Sequence, residues 1–141
     1  MIRTLAALPI LLLYLPALAF ASSQVLPCGG ARFALDAENR GHILDNVYRL
    51  TARTSDHGKE TLVYLSDVGG WFFAACVADG KGAPRLLFQE FCGGSACVED
   101  KYGIVDPRSL AILLRPPANN VANGAQAARV LGRKLPAIPR D

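Results

Sequence analysis

The sequence has little of what most catalysts are built from. Only two of its 141 residues are histidine, His42 and His57. It has no Gly-x-Ser-x-Gly elbow, no His-Glu-x-x-His helix and no phosphate-cradling loop, which argues against the commoner exported hydrolases and nucleotide enzymes. No two of the four cysteines have the two-residue spacing of metal or redox sites, and neither histidine lies near them in sequence. No cofactor and no metal is therefore expected. Both histidines fall in turn-like stretches, Asn39-Arg40-Gly41-His42 and Ser55-Asp56-His57-Gly58, where a solvated polar role is expected rather than catalysis. There is also no Asn-x-Ser/Thr acceptor, no internal repeat and no long low-complexity tract.

What is present begins with Arg3, an apolar run from Leu5 to Phe20, and Ala19-Phe20-Ala21 followed by two serines. That order is the mark of a cleavable export signal over residues 1–21. The run falls short of the roughly 20 residues a membrane span needs, and Pro9 and Pro16 interrupt it. Pro27 stands where lipidation of Cys28 would need a small residue. The expected mature protein is a single domain of residues 22–141, exported to the bacterial periplasm or beyond, with no membrane span of its own.

Charge adds one exclusion. The chain holds 15 Lys and Arg against 12 Asp and Glu. Removing Arg3 with the signal leaves an excess of two cations, too small for a dedicated nucleic-acid binder. The distribution is uneven, with 8 cations and 11 anions in residues 22–106 but 6 and 1 in residues 107–141. A basic, proline-containing tail folded back on a mildly acidic body is the expected arrangement.

Apolar and polar residues alternate over Arg32 to Leu35, Asn46 to Arg53, Thr61 to Ser66, Trp71 to Ala78, Arg85 to Phe91, Cys97 to Ile104 and Leu110 to Leu114. A period of two bounded by Gly, Pro and Asp predicts half-buried strands. Tyr48, Leu50 and Ala52 should share the core face of one strand. The short links, among them Asp67-Val68-Gly69-Gly70, Asp79-Gly80-Lys81-Gly82 and Cys92-Gly93-Gly94-Ser95, predict neighbouring strands paired in antiparallel order. Past Pro116-Pro117, helical spacing of Val121, Ala125, Ala128 and Leu131 predicts one short helix, capped by Asn119 or Asn120 and ended by Gly132. The expected fold is mainly β: a single antiparallel meander, or a small barrel or sandwich, with one C-terminal helix.

Two strands joined by a four-residue turn would bring Cys92 and Cys97 to disulfide distance, leaving Cys28 to pair with Cys76. Glu90, Glu99, Asp100 and Asp106 cluster in sequence around that turn, the residue type a glycosidase needs in pairs. Acids at a hairpin tip more simply keep it soluble, and no catalytic residue is assigned. A partner is expected to dock on the edge formed by the Asp67 to Trp71 turn and the Cys92 to Asp100 hairpin. There Trp71 would act as aromatic anchor, with Glu99 and Asp100 steering a basic partner.

These features predict a small exported binding protein without catalytic machinery. In size and cysteine use alone it resembles periplasmic proteins that block cell-wall-degrading enzymes, such as lysozyme inhibitors and immunity proteins of secreted amidases. That resemblance implies a protein partner of the wall-degrading class. Two other readings stay open: an assembly component of the envelope or of a secretion apparatus, and a divergent exported hydrolase using carboxylates.

Overall fold

The computed structural model describes residues 23–55, 58–66 and 69–140. They form eight strands and one helix: β1 (Gln24–Cys28), β2 (Ala31–Glu38), β3 (Val47–Thr54), β4 (Thr61–Ser66), β5 (Trp71–Ala78), β6 (Pro84–Phe91), β7 (Lys101–Val105), β8 (Ile112–Leu114) and α1 (Gly124–Leu131). A 3-10 turn at Ile43–Asp45 interrupts the link from β2 to β3. The strands make two four-stranded antiparallel sheets, β1-β2-β3-β4 and β5-β6-β7-β8. The fold is therefore mainly β with one short C-terminal helix, and meander order holds within each sheet.

The order breaks between β4 and β5, where the chain leaves the first sheet and starts the second. Burial explains the break. One face of each sheet must be covered, and folding the second sheet over the first lets both inner faces share a core. Phe33, Leu50, Tyr64, Phe72, Leu86, Phe88 and Val105 build it from both sheets. Its centre is a run of aromatic contacts: Tyr48 to Phe72 at 5.7 Å between ring centroids, Phe72 to Phe88 at 5.0 Å and Phe88 to Tyr64 at 4.9 Å. Cys28 on β1 and Cys76 on β5 are bonded across the two sheets, with Cα atoms 5.3 Å apart.

The outer face of the second sheet is covered as well. Leu87, Ile104 and Leu114 pack with Ala127 and Leu131 of α1 and with Ile138 of the tail. This two-sided burial removes the alternation from β6, whose Leu86 to Glu90 are all buried. The tail lies back on the sheet, with the Arg140 guanidinium 5.7 Å from the Phe73 ring and 3.5 Å from Glu99.

Several sequence expectations need correction. β1 went unpredicted, although Gly29 and Gly30, both at positive φ, form a two-residue hairpin turn between Cys28 and Ala31. Cys97 is not in a strand: β6 ends at Phe91 and β7 starts at Lys101, so the Cys92–Cys97 bond closes a loop and not a tight hairpin. Leu110 sits in a turn at φ 59° and β8 begins at Ile112. The residue preceding α1 is Asn123 and neither Asn119 nor Asn120, and it makes no side-chain cap bond because its amide is spent on Tyr102 of β7. Gly132 ends the helix at φ 71°, where it was expected.

Candidate binding surfaces

The loop between β6 and β7 is ordered by its own polar groups. Cys92 and Cys97 are bonded, with Cα atoms 5.7 Å apart, and the Cys97 N–H donates to the Gly94 carbonyl at 2.9 Å. Asn120 brackets the loop, its amide N–H donating to Ala96 O at 2.6 Å while its oxygen accepts from Val98 N–H at 2.7 Å. Asn123 does the same for β7, accepting from Tyr102 N–H and donating to Tyr102 O. Each asparagine amide thus stands in for a strand neighbour.

The structure brings Trp71 to this end of the molecule. Trp71 pairs with Phe91, their rings stacked at 5.4 Å, and Gly70 lies so close to Phe91 and Cys92 that a Cβ there would strike the Phe91 carbonyl. Asp67 lies outside the described residues, as does His57. His42 is exposed beside the 3-10 turn, and its carbonyl accepts from Asp45 N–H. Glu99 and Asp100 are exposed but engaged: Glu99 pairs with Arg140, and the Asp100 carbonyl accepts from Asn123 N–H at 2.8 Å. Burial, and next the Asp100 charge, pushes the Tyr102 phenol above its ordinary value. These two acids therefore hold the tail and the start of α1 as well as facing solvent.

The acids that cluster in sequence do not converge. Glu90 turns inward, 2% exposed, where it meets Lys101 at 3.2 Å and accepts from the hydroxyls of Tyr64 and Ser66, each at 3.0 Å. Asp106 follows the far end of β7 and pairs with Arg85 at 3.3 Å. Among the described residues no group of three or more His, Cys, Asp and Glu could hold a metal ion.

A different surface stands out by what fails to cover it. Among the described residues α1 and the tail pack on the second sheet and not on the outer face of the first, where Val25, Leu62 and Leu65 are 51%, 54% and 50% exposed. Register places Val25, Ala34, Thr51 and Leu62 in one row across the four strands, with Asp36, Arg49 and Leu65 in the next. A bulge makes this possible. Tyr64 opposes Leu50 and Leu62 opposes Thr51, so Val63 is an extra residue, and both Leu62 and Leu65 point outward although they are three apart. In the floor of this face the Thr51 hydroxyl is buried and has no hydrogen-bond partner. Two hollows flank it, one of about 280 Å³ lined by Val25, Arg32, Thr51, Arg53 and Glu60, the other of about 230 Å³ lined by Asp36, Glu38, Val47, Arg49 and Leu65.

No protein-family model, curated protein or solved structure matches this chain. Function must therefore come from the chemistry of these surfaces. The open face combines half-exposed apolar side chains, a rim of both charge signs and a buried hydroxyl without a hydrogen-bond partner. Sequence reasoning missed it because β1 was unpredicted and the bulge hides that Leu62 and Leu65 share a face. One signal was available: Leu62-Val63-Tyr64-Leu65 is too apolar for a strand with one wet face. No helix among the described residues is long and apolar enough to cross a membrane, and the two disulfides are compatible with an oxidising compartment.

Proposed function

We propose that the mature chain is an exported binding protein without catalytic activity, which docks a cell-wall-degrading enzyme on the outer face of its first sheet and blocks it. The observation that carries the docking surface is the unequal treatment of the two outer faces. The second sheet is sealed by α1 and the tail, whereas the first leaves Val25, Leu62 and Leu65 half in water around a buried, unpartnered hydroxyl. An unsatisfied buried hydroxyl costs about 1–3 kcal/mol, and a partner donating to or accepting from Thr51 would recover that. Inter-sheet cross-linking by Cys28–Cys76 keeps the face rigid, so little ordering entropy is lost on association. The wall-degrading class of the partner rests on the small exported size and the cysteine use. The Trp71 and Glu99 end of the molecule is a competing docking edge.

The test is recovery of partners by the tagged mature protein from its own cells, followed by titration into the recovered enzyme. Equimolar protein should abolish release of wall fragments. Leu62→Asp with Leu65→Asp should weaken affinity at least tenfold, about 1.4 kcal/mol, while Trp71→Ala and Glu99→Lys change it less. Recovery of a multiprotein envelope complex with no inhibition would replace this reading by an assembly role. Equal inhibition by the Leu62 and Leu65 variant, with loss in the Trp71 variant, would move the docking site to the loop end.

A further inference from the structure

At the end of the second sheet away from the Cys92 loop, two turns are built alike. In the link from β5 to β6, Asp79 accepts from the N–H groups of Lys81 and Ala83, both at 2.9 Å. In the link from β7 to β8, Asp106 accepts from Arg108 N–H at 3.1 Å and from the Ser109 hydroxyl at 3.1 Å. Each aspartate thereby fixes the backbone of a cationic residue two positions on, Lys81 or Arg108. Arg85 ties the two turns together, 3.1 Å from Asp79 and 3.3 Å from Asp106. Between them lies a groove of about 420 Å³ lined by Lys81, Arg85, Asp106 and Arg108 with Gly82, Ala83 and Pro84. That volume falls within the range of about 300–1,000 Å³ typical of small-ligand clefts.

The charges in this groove are unevenly spent. Among the described residues Asp106 is the one carboxylate lining the wall, with Asp79 behind Arg85, and its oxygens already hold Arg85, the Arg108 N–H and Ser109. Lys81 and Arg108 are exposed and make no ion pair among the described residues. An anion entering the groove would meet an ammonium on one turn and a guanidinium on the other, above an Arg85 whose own charge is answered by Asp79 and Asp106. A planar carboxylate is satisfied by one guanidinium fork. Donors arriving from several directions suit a tetrahedral, multiply charged oxyanion.

We propose that this groove binds a phosphate-bearing ligand, with Lys81 and Arg108 as the arms that grasp it and Arg85 as its fixed floor. The site is separate from the open face of the first sheet and does not depend on its function. Its test is calorimetric titration of the mature protein with pyrophosphate, beside the double variant Lys81→Gln with Arg108→Gln. Both side chains are exposed and the turn bonds use their backbone N–H groups, so the variant keeps the fold; Arg85 is left in place because it ties the turns. Saturable one-to-one binding, weakened at least tenfold in the double variant and less than twofold in an Arg40→Gln with Lys59→Gln control, is the expected result. Vesicles with and without phosphatidylglycerol then separate a lipid headgroup from a free phosphate compound, either of which agrees with the proposal. No saturation by pyrophosphate, an equal loss in the control, or citrate binding as tightly as pyrophosphate would overturn it.

Discussion

Glu90 and Lys101 oppose each other on β6 and β7, 2% and 4% exposed and 3.2 Å apart. The carboxylate takes the ammonium on one oxygen and two hydroxyls on the other, from Tyr64 and Ser66 on the opposite sheet. Lys101→Met removes the counter-charge and leaves the carboxylate buried, which should cost about 3–5 kcal/mol. Urea denaturation measures it, and a loss below about 1 kcal/mol would show that water reaches the pair. Asp79 makes a second residue-scale prediction. Backbone N–H groups of Ala83 and Lys81, with Arg85 nearby, hold its carboxyl below the ordinary 3.8. With the folded value depressed, its stabilisation is complete above the unfolded value and is lost as pH falls through the folded one. An Asp79→Asn variant should accordingly lose less stability than the parent on acidification below about pH 4; identical acid limbs would contradict this.

At the scale of elements, close approach and side-chain pins decide what fits. Gly103 on β7 opposes Phe88 on β6, and a Cβ there would enter the buried Phe88 ring. Gly103→Ala should cost about 1–3 kcal/mol through overpacking, read as a lowered denaturation midpoint with unchanged slope. Asn123→Ala removes two hydrogen bonds to Tyr102, a loss of about 1–3 kcal/mol, and hydrogen exchange should rise first in α1. Equal protection of α1 in both proteins would mean that packing of Ala127 and Leu131 alone holds it. β4 and β5 were legible to their end residues because Gly and Asp turn residues bound runs rich in aromatic and β-branched side chains. β1 was not, since Pro27 argues against a strand; it lies in an edge strand, where proline is tolerated. The start of β7 was misplaced because Val98 and Asp100 carry on the alternation although their backbone bonds go to Asn120 and Asn123, partners more than 20 residues away.

For the molecule as a whole, the Cys28–Cys76 bond closes 48 residues and joins the two sheets, worth about 4 kcal/mol on the loop-entropy model. The cysteine pairing and the β-rich class were within reach of spacing and periodicity. A sandwich was one of the arrangements expected, but where the strands divide into two sheets was not legible, because the step from β4 to β5 looks like any hairpin link. The open face was hidden for the same reason, since which outer face stays bare depends on where α1 and the tail lie. The account of function rests on that bare face, and hydrogen exchange with and without the captured partner tests it most directly. β1 and β4 are edge strands with backbone N–H groups open to exchange. Partner-dependent protection should appear in residues 24–28 and 61–66 and be absent from residues 124–131, whereas protection confined to residues 70–72 and 92–100 would contradict the account.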